Sequence, residues 1–190
     1  MKKVLSILLL MTLALALSAC GQEKTTGESD GQISVKSPVD LLDAVWASYD
    51  NEEDKFPAAG GDIDNTNMEG PGKFGLDDPA ALDSTLGFPA AEVDKIDGAA
   101  SLLHMMNANT FTCGVFHTKD AGGISALAGQ LKDNIMGRQW MCGFPDKLII
   151  VKVDSYIVSF FGNTQIVDTF SSKLTTVYPS GEVLFDEPIV

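Results

Sequence analysis

The sequence predicts an α+β domain: a mainly antiparallel four-stranded sheet from two strand–strand–helix units, with helices on one face and an added N-terminal helix. Three observations lead there. Apolar runs at SLLHMM (101–106), TFTCGVFHT (110–118), KLIIVKV (147–153) and YIVSFFG (156–162) are spaced as two hairpins. Each hairpin precedes a stretch with apolar residues every three or four positions. In the first these are Ile124, Leu127, Ala128, Leu131 and Ile135; in the second, Ile166, Val167, Phe170 and Leu174. The order strand–strand–helix therefore occurs twice, at about 100–137 and 147–175.

The elements follow from local chemistry. Ser37 caps a first helix over about 38–50, with Pro38 in its first turn and Asp40 and Asp43 at its positive end. Leu41, Leu42, Val45, Trp46 and Tyr49 make its apolar face. Residues 50–78 form an acidic loop rich in Gly and Asp. Asp78-Pro79 reads as a cap and first turn, Gly87 as a stop, and AAEVDKI after Phe88-Pro89 as one or two more turns. The first hairpin turns at Asn107–Asn109 and the second at Asp154-Ser155, while Asp120 caps the helix between them. Segments 148–151 and 156–161 are apolar on both faces, the mark of covered strands. The tail YPSGEVLFDEPIV receives no assignment.

Composition narrows the function. The chain has 190 residues, 13 basic and 26 acidic, and a formal charge of −13. Its apolar content excludes global disorder. Its charge argues against nucleic acid as a partner, because that affinity comes mainly from neutralising phosphates.

The N-terminus carries an address. Lys2 and Lys3 precede an apolar run of about 14 residues, shorter than the roughly 20 a membrane-spanning helix needs. Residues 1–19 are expected to be an export signal. The run ends in Leu17-Ser18-Ala19-Cys20, which resembles the lipobox of bacterial lipoproteins. The resemblance implies that Cys20 takes a diacylglycerol on sulfur, with fatty chains such as palmitate, and becomes the new N-terminus. Two or three chains hold a protein durably on a membrane, at about 0.8 kcal/mol per buried CH₂. Residues 20–37 are then the lipidated cysteine and a flexible polar tether, and 38–190 a single domain on the extracytoplasmic side of the cell membrane.

Cys113 and Cys142 remain. They are compatible with one disulfide, worth about 3.5 kcal/mol for a loop of about 30 residues, or with two buried thiols. No Cys-x-x-Cys occurs, which argues against a thioredoxin-like role.

Candidate chemistry is sparse. Cys113 and His117 on one strand stand about 13 Å apart, too far for a nucleophile–base pair. Asp62-x-Asp64-x-Thr66 alternates oxygen ligands as calcium sites do, but Asn67 and Lys73 stand where an EF-hand has Gly and Glu. Asp50, Glu52 and Asp54 alternate likewise; a solvated acidic loop is the plainer reading. His104, Met105 and Met106 suggest a soft metal, although adjacent Met residues are more often core filler. Gly122-Gly123 at a helix start lacks phosphate-loop spacing. Trp46, Trp140, Phe160 and Phe161 read as core or interface. No catalytic set, metal site or cofactor site is expected.

Residues 38–175 resemble a family of small uncharacterised lipoproteins of clostridia and their relatives. The lipobox, the first helix, the two hairpin–helix units and KLIIVKVDSYIVSFFG carry the resemblance. The family is a domain of unknown function, so it implies location and fold class but no activity. The expectation is a non-enzymatic binding or interaction domain, anchored at Cys20, for a protein, wall component or small ligand. The alternatives are a cation- or solute-binding accessory protein of a transporter and, below it, a Cys- or carboxylate-dependent enzyme.

Overall fold

The computed structural model describes residues 35–50, 55–141 and 143–189. The export signal, Cys20, the tether as far as Ser34, and Glu52, Asp54 and Cys142 lie outside the described residues.

Helix α1 (Pro38–Ala47) starts at Ser37, whose side chain accepts from the Asp40 amide. After it, β1 (Ala58–Ala59) and β2 (Gly72–Phe74) bracket the acidic loop. Helix α2 (Pro79–Leu86) is capped by Asp78 and ended by Gly87 at φ 74°, followed by a 3₁₀ helix at Ala90–Lys95. Strands β3 (Ile96–His104) and β4 (Phe111–Thr118) form the first hairpin. A 3₁₀ turn at Ala121–Gly123 leads into α3 (Ile124–Met136). Strands β5 (Lys147–Val153) and β6 (Tyr156–Gly162) form the second hairpin, followed by α4 (Thr164–Val177) and β7 (Glu182–Pro188).

The strands form one 7-stranded sheet in the order β1-β3-β4-β6-β5-β7, with β2 also paired to β3. All its strand pairings are antiparallel. The four expected strands are its centre. The correction is at the edges: β1 and β2 flank β3, and the unassigned tail supplies β7. These strands are short or charged, so they carry little of the alternating signal that marks the centre.

Helices cover both faces, not one. On one face, Leu41, Leu42 and Val45 of α1 and Val167, Phe170 and Leu174 of α4 pack on Phe111, Cys113, Val158 and Phe160. On the other, Leu82 and Leu86 of α2 and Leu127, Leu131 and Ile135 of α3 pack on Phe116, Leu148, Ile157 and Phe161. Strands β5 and β6 are buried along almost their whole length, and apolar side chains on both faces need cover on both. Each fully buried Leu or Phe contributes about 1.5–3 kcal/mol. Lys147 fixes β7 in place, with its ammonium 2.9 Å from Asp168 of α4 and 3.1 Å from Asp186 of β7.

Candidate functional site

One irregularity in the sheet creates the site. Ile96 pairs with Thr118 and Gly98 with His117, so Asp97 is an extra residue in β3. Such a bulge turns its side chain out of the regular alternation. The Asp97 carboxylate meets Nδ1 of His117 on β4. In the neutral imidazole this bond holds the proton on Nδ1 and leaves Nε2 as acceptor. The His117 ring lies 4.8 Å from the Tyr156 ring on β6, its register partner.

The start of α1 closes over this group. A Cβ on Gly98 would stand 3.2 Å from Pro38 Cγ, so the absent side chain lets the helix start approach the bulge. A groove of about 630 Å³ results, with Asp97, His117 and Tyr156 along one wall. Pro38, Phe74 and Leu76 give it apolar surface, and Lys36 and Lys73 also line it. Burial pushes the Tyr156 phenol pKa up, and Asp40, Asp97 and Asp154 add to the rise. The phenol is therefore a neutral hydrogen-bond donor at neutral pH.

The two groove lysines differ from the other cations. Lys95, Lys132, Lys147, Lys152 and Lys173 each meet a carboxylate. Lys119 donates to the Asp94 carbonyl, Arg138 to the carbonyls of Asp83 and Ser84, and Lys55 lies over the Trp46 ring. The side chains of Lys36 and Lys73 make no hydrogen bond, ion pair or ring contact with another described residue.

The expected candidates lie elsewhere or have other work. Cys113 shares a face with His117 but is a free thiol, fully buried between α1, α4 and the sheet. Burial pushes its pKa well above the ordinary thiol range. Cys142 lies outside the described residues. Its neighbours Met141 and Gly143 both offer carbonyls to Asn109 Nδ2, at 2.9 and 3.0 Å, and Trp140 packs on Phe161 on the opposite face of the sheet from Cys113. As a buried free thiol, Cys113 is expected to resist alkylation in the native protein and to alkylate in denaturant without reductant. Mass measurement checks this, and an unlabelled Cys113 in denaturant would show the disulfide.

Asp62 is not left free for a cation. Its Oδ1 accepts from the amides of Asp64 and Asn65 and from Asn65 Nδ2, and its Oδ2 from the Gly75 amide. Thr66, another expected ligand, donates its hydroxyl to the Asp62 carbonyl at 2.7 Å. Among the described residues, no three His, Cys, Asp or Glu side chains gather as a metal site would need. Partial burial pushes the Asp62 pKa up, but the donors from Gly75, Asn65 and Asp64 outweigh it and the net shift is down. Its contribution to stability is thus present above the unfolded carboxylate pKa, about 3.9, and is lost as pH falls through the lower folded value. Asp62→Ala is expected to cost about 1 kcal/mol at pH 7, after allowing for solvent screening. Urea midpoints at pH 7, 5 and 3 should show the difference from wild type shrinking only at the lowest pH.

Met105 and Met106 are exposed rather than core filler, and His104 stacks on Phe56 at 5.5 Å. The amides of Gly122 and Gly123 are both used by Asp120 and are not free for an anion. Trp46 and Trp140 are half-buried, and Phe160 and Phe161 are core. Sequence reasoning missed Asp97, Tyr156, Lys36 and Lys73. The hairpin turn at 107–109 sets a register that brings His117 beside Gly98, which was the available signal. The bulge that adds Asp97 leaves no mark in the sequence. Comparison of the chain with protein-family models, curated proteins and solved structures finds no match.

Proposed function

We propose that the chain is a lipoprotein, anchored through Cys20 on the extracytoplasmic side of a bacterial cell membrane, whose domain binds a small ligand without turnover. The resemblance to small clostridial lipoproteins bears on the address alone. The address rests on Lys2, Lys3, the short apolar run and Leu17-Ser18-Ala19-Cys20. Among the described residues no helix is long and apolar enough to cross a membrane, so an anchor at Cys20 is the means of attachment this reading uses.

The observation that carries the binding role is the groove at the Asp97 bulge. It joins apolar wall, a fixed imidazole and a neutral phenol in a volume suited to a small molecule. A cation-binding role has less support, because Asp62 is satisfied by amides and its own loop. Cys20→Ser is expected to abolish lipid attachment: metabolic labelling with a fatty acid falls to background, and signal cleavage at this site stops or the protein leaves the membrane fraction. A labelled, correctly processed Cys20→Ser protein would contradict the anchor.

The same Asp97–His117 pair favours a second reading, hydrolysis with His117 Nε2 as general base. The two readings part on one experiment. Turnover of a bound compound that His117→Gln abolishes supports the enzyme; binding that leaves the compound intact supports the module.

A further inference from the structure

We infer that the groove's ligand carries an anionic group, a carboxylate or phosphate, on an apolar body, because the groove joins Lys36 and Lys73, unpaired among described residues, to the Tyr156 phenol and apolar wall. The inference rests on the groove being a binding site, as proposed above.

The charge pattern is the argument. In a chain of −13, cations are scarce, and the other described ones are held by carboxylates, carbonyls or a ring. The two left without a described partner line the same groove. Asp97, the nearest carboxylate to the imidazole, is engaged by His117. Asp77 and Asp97 also line the groove and formally balance the two ammonium groups, so the groove is near neutral in an otherwise acidic surface. Tyr156 adds a phenol that stays protonated, hence a donor. Pro38, Phe74 and Leu76 offer an apolar body its contact. Donors and cations together suit an anion, and low-dielectric walls strengthen that attraction relative to open surface.

The chain's two histidines make the test internal. His117 lies in the groove; His104 lies at the far end of β3, stacked on Phe56. The lipidated full-length protein in detergent would be titrated with benzoate, phenyl phosphate, benzyl alcohol and benzylammonium while both imidazole C–H signals are followed by NMR. These probes share a ring and differ in charge. Benzoate or phenyl phosphate is expected to move His117 and leave His104, whichever anion the natural ligand bears. Lys36→Ala and Lys73→Ala are each expected to weaken that binding about three- to tenfold, and added salt to weaken it further. Both lysines lack described partners, so the melting temperature should hold in these variants. Lys152→Ala, which removes a cation paired with Glu182 outside the groove, is expected to change nothing. If benzyl alcohol or benzylammonium moves His117 as readily as benzoate does, the anion is overturned while the groove stands. If neither anion moves His117, or both lysine variants bind as wild type does, the inference is overturned.

Discussion

Replacing Phe170 with Ala is expected to lower the unfolding free energy by about 3–5 kcal/mol. The side chain is fully buried on α4, with its ring 5.2 Å from Phe111 and 4.9 Å from Phe160. It therefore joins α4 to both β4 and β6. Truncation removes the transfer free energy of the ring and leaves a cavity between two aromatic side chains held by the sheet. Such a site collapses poorly, so the cavity cost persists. A typical domain has about 5–15 kcal/mol to lose. Urea unfolding should show a lower midpoint with an unchanged slope. A loss below about 1 kcal/mol would mean that α4 does not pack on the sheet in this way.

Gly162→Ala is expected to cost about 2–5 kcal/mol, from strained backbone and overpacking together. Gly162 ends β6 with φ +150°, a conformation L residues avoid. A Cβ there would stand 2.2 Å from the Thr110 carbonyl oxygen. That oxygen belongs to backbone and accepts from the Asn163 amide at 2.9 Å, so it cannot swing aside as a side chain would. Gly129 in α3 is the control. A Cβ there meets nothing within 4 Å, and Gly129→Ala should stabilise by about 0.5–1 kcal/mol. Thermal unfolding of the two variants should therefore move in opposite directions. Equal small shifts would contradict the placement of the β6 end against Thr110.

The centre of the fold was legible because its signals are local. Ser37 and Asp78 cap as their chemistry dictates, Asp120 caps the 3₁₀ turn before α3 rather than α3 itself, and Gly87 stops α2 in the left-handed conformation. The stripes Ile124–Ile135 and Val167–Leu174 are buried as their spacing requires. The apolar character of 148–151 and 156–161 on both faces already implied two covering layers, which conflicts with helices on one face alone. The edges were not legible. β1 is two residues long, β2 three, and β7 exposes Glu182, Val183 and Asp186, so none shows a clear period. The site was legible only in part. His117 was singled out, but with Cys113, its neighbour along the strand. Its real partner is 20 residues away and reaches it through a bulge. Lys36 and Lys73 stand 37 positions apart in the sequence and line one groove only once α1 and β2 meet the end of β3.

The central claim is that the groove at Asp97 and His117 holds a small ligand. Native mass spectrometry of the full chain, purified from its own cells without chelator, tests it most directly. The account predicts a reproducible non-covalent mass with an apolar body and an anionic group. A variant in which His117→Gln and Lys73→Ala are combined should lose it. A bare chain, or a bound mass that survives this double substitution, would contradict the account.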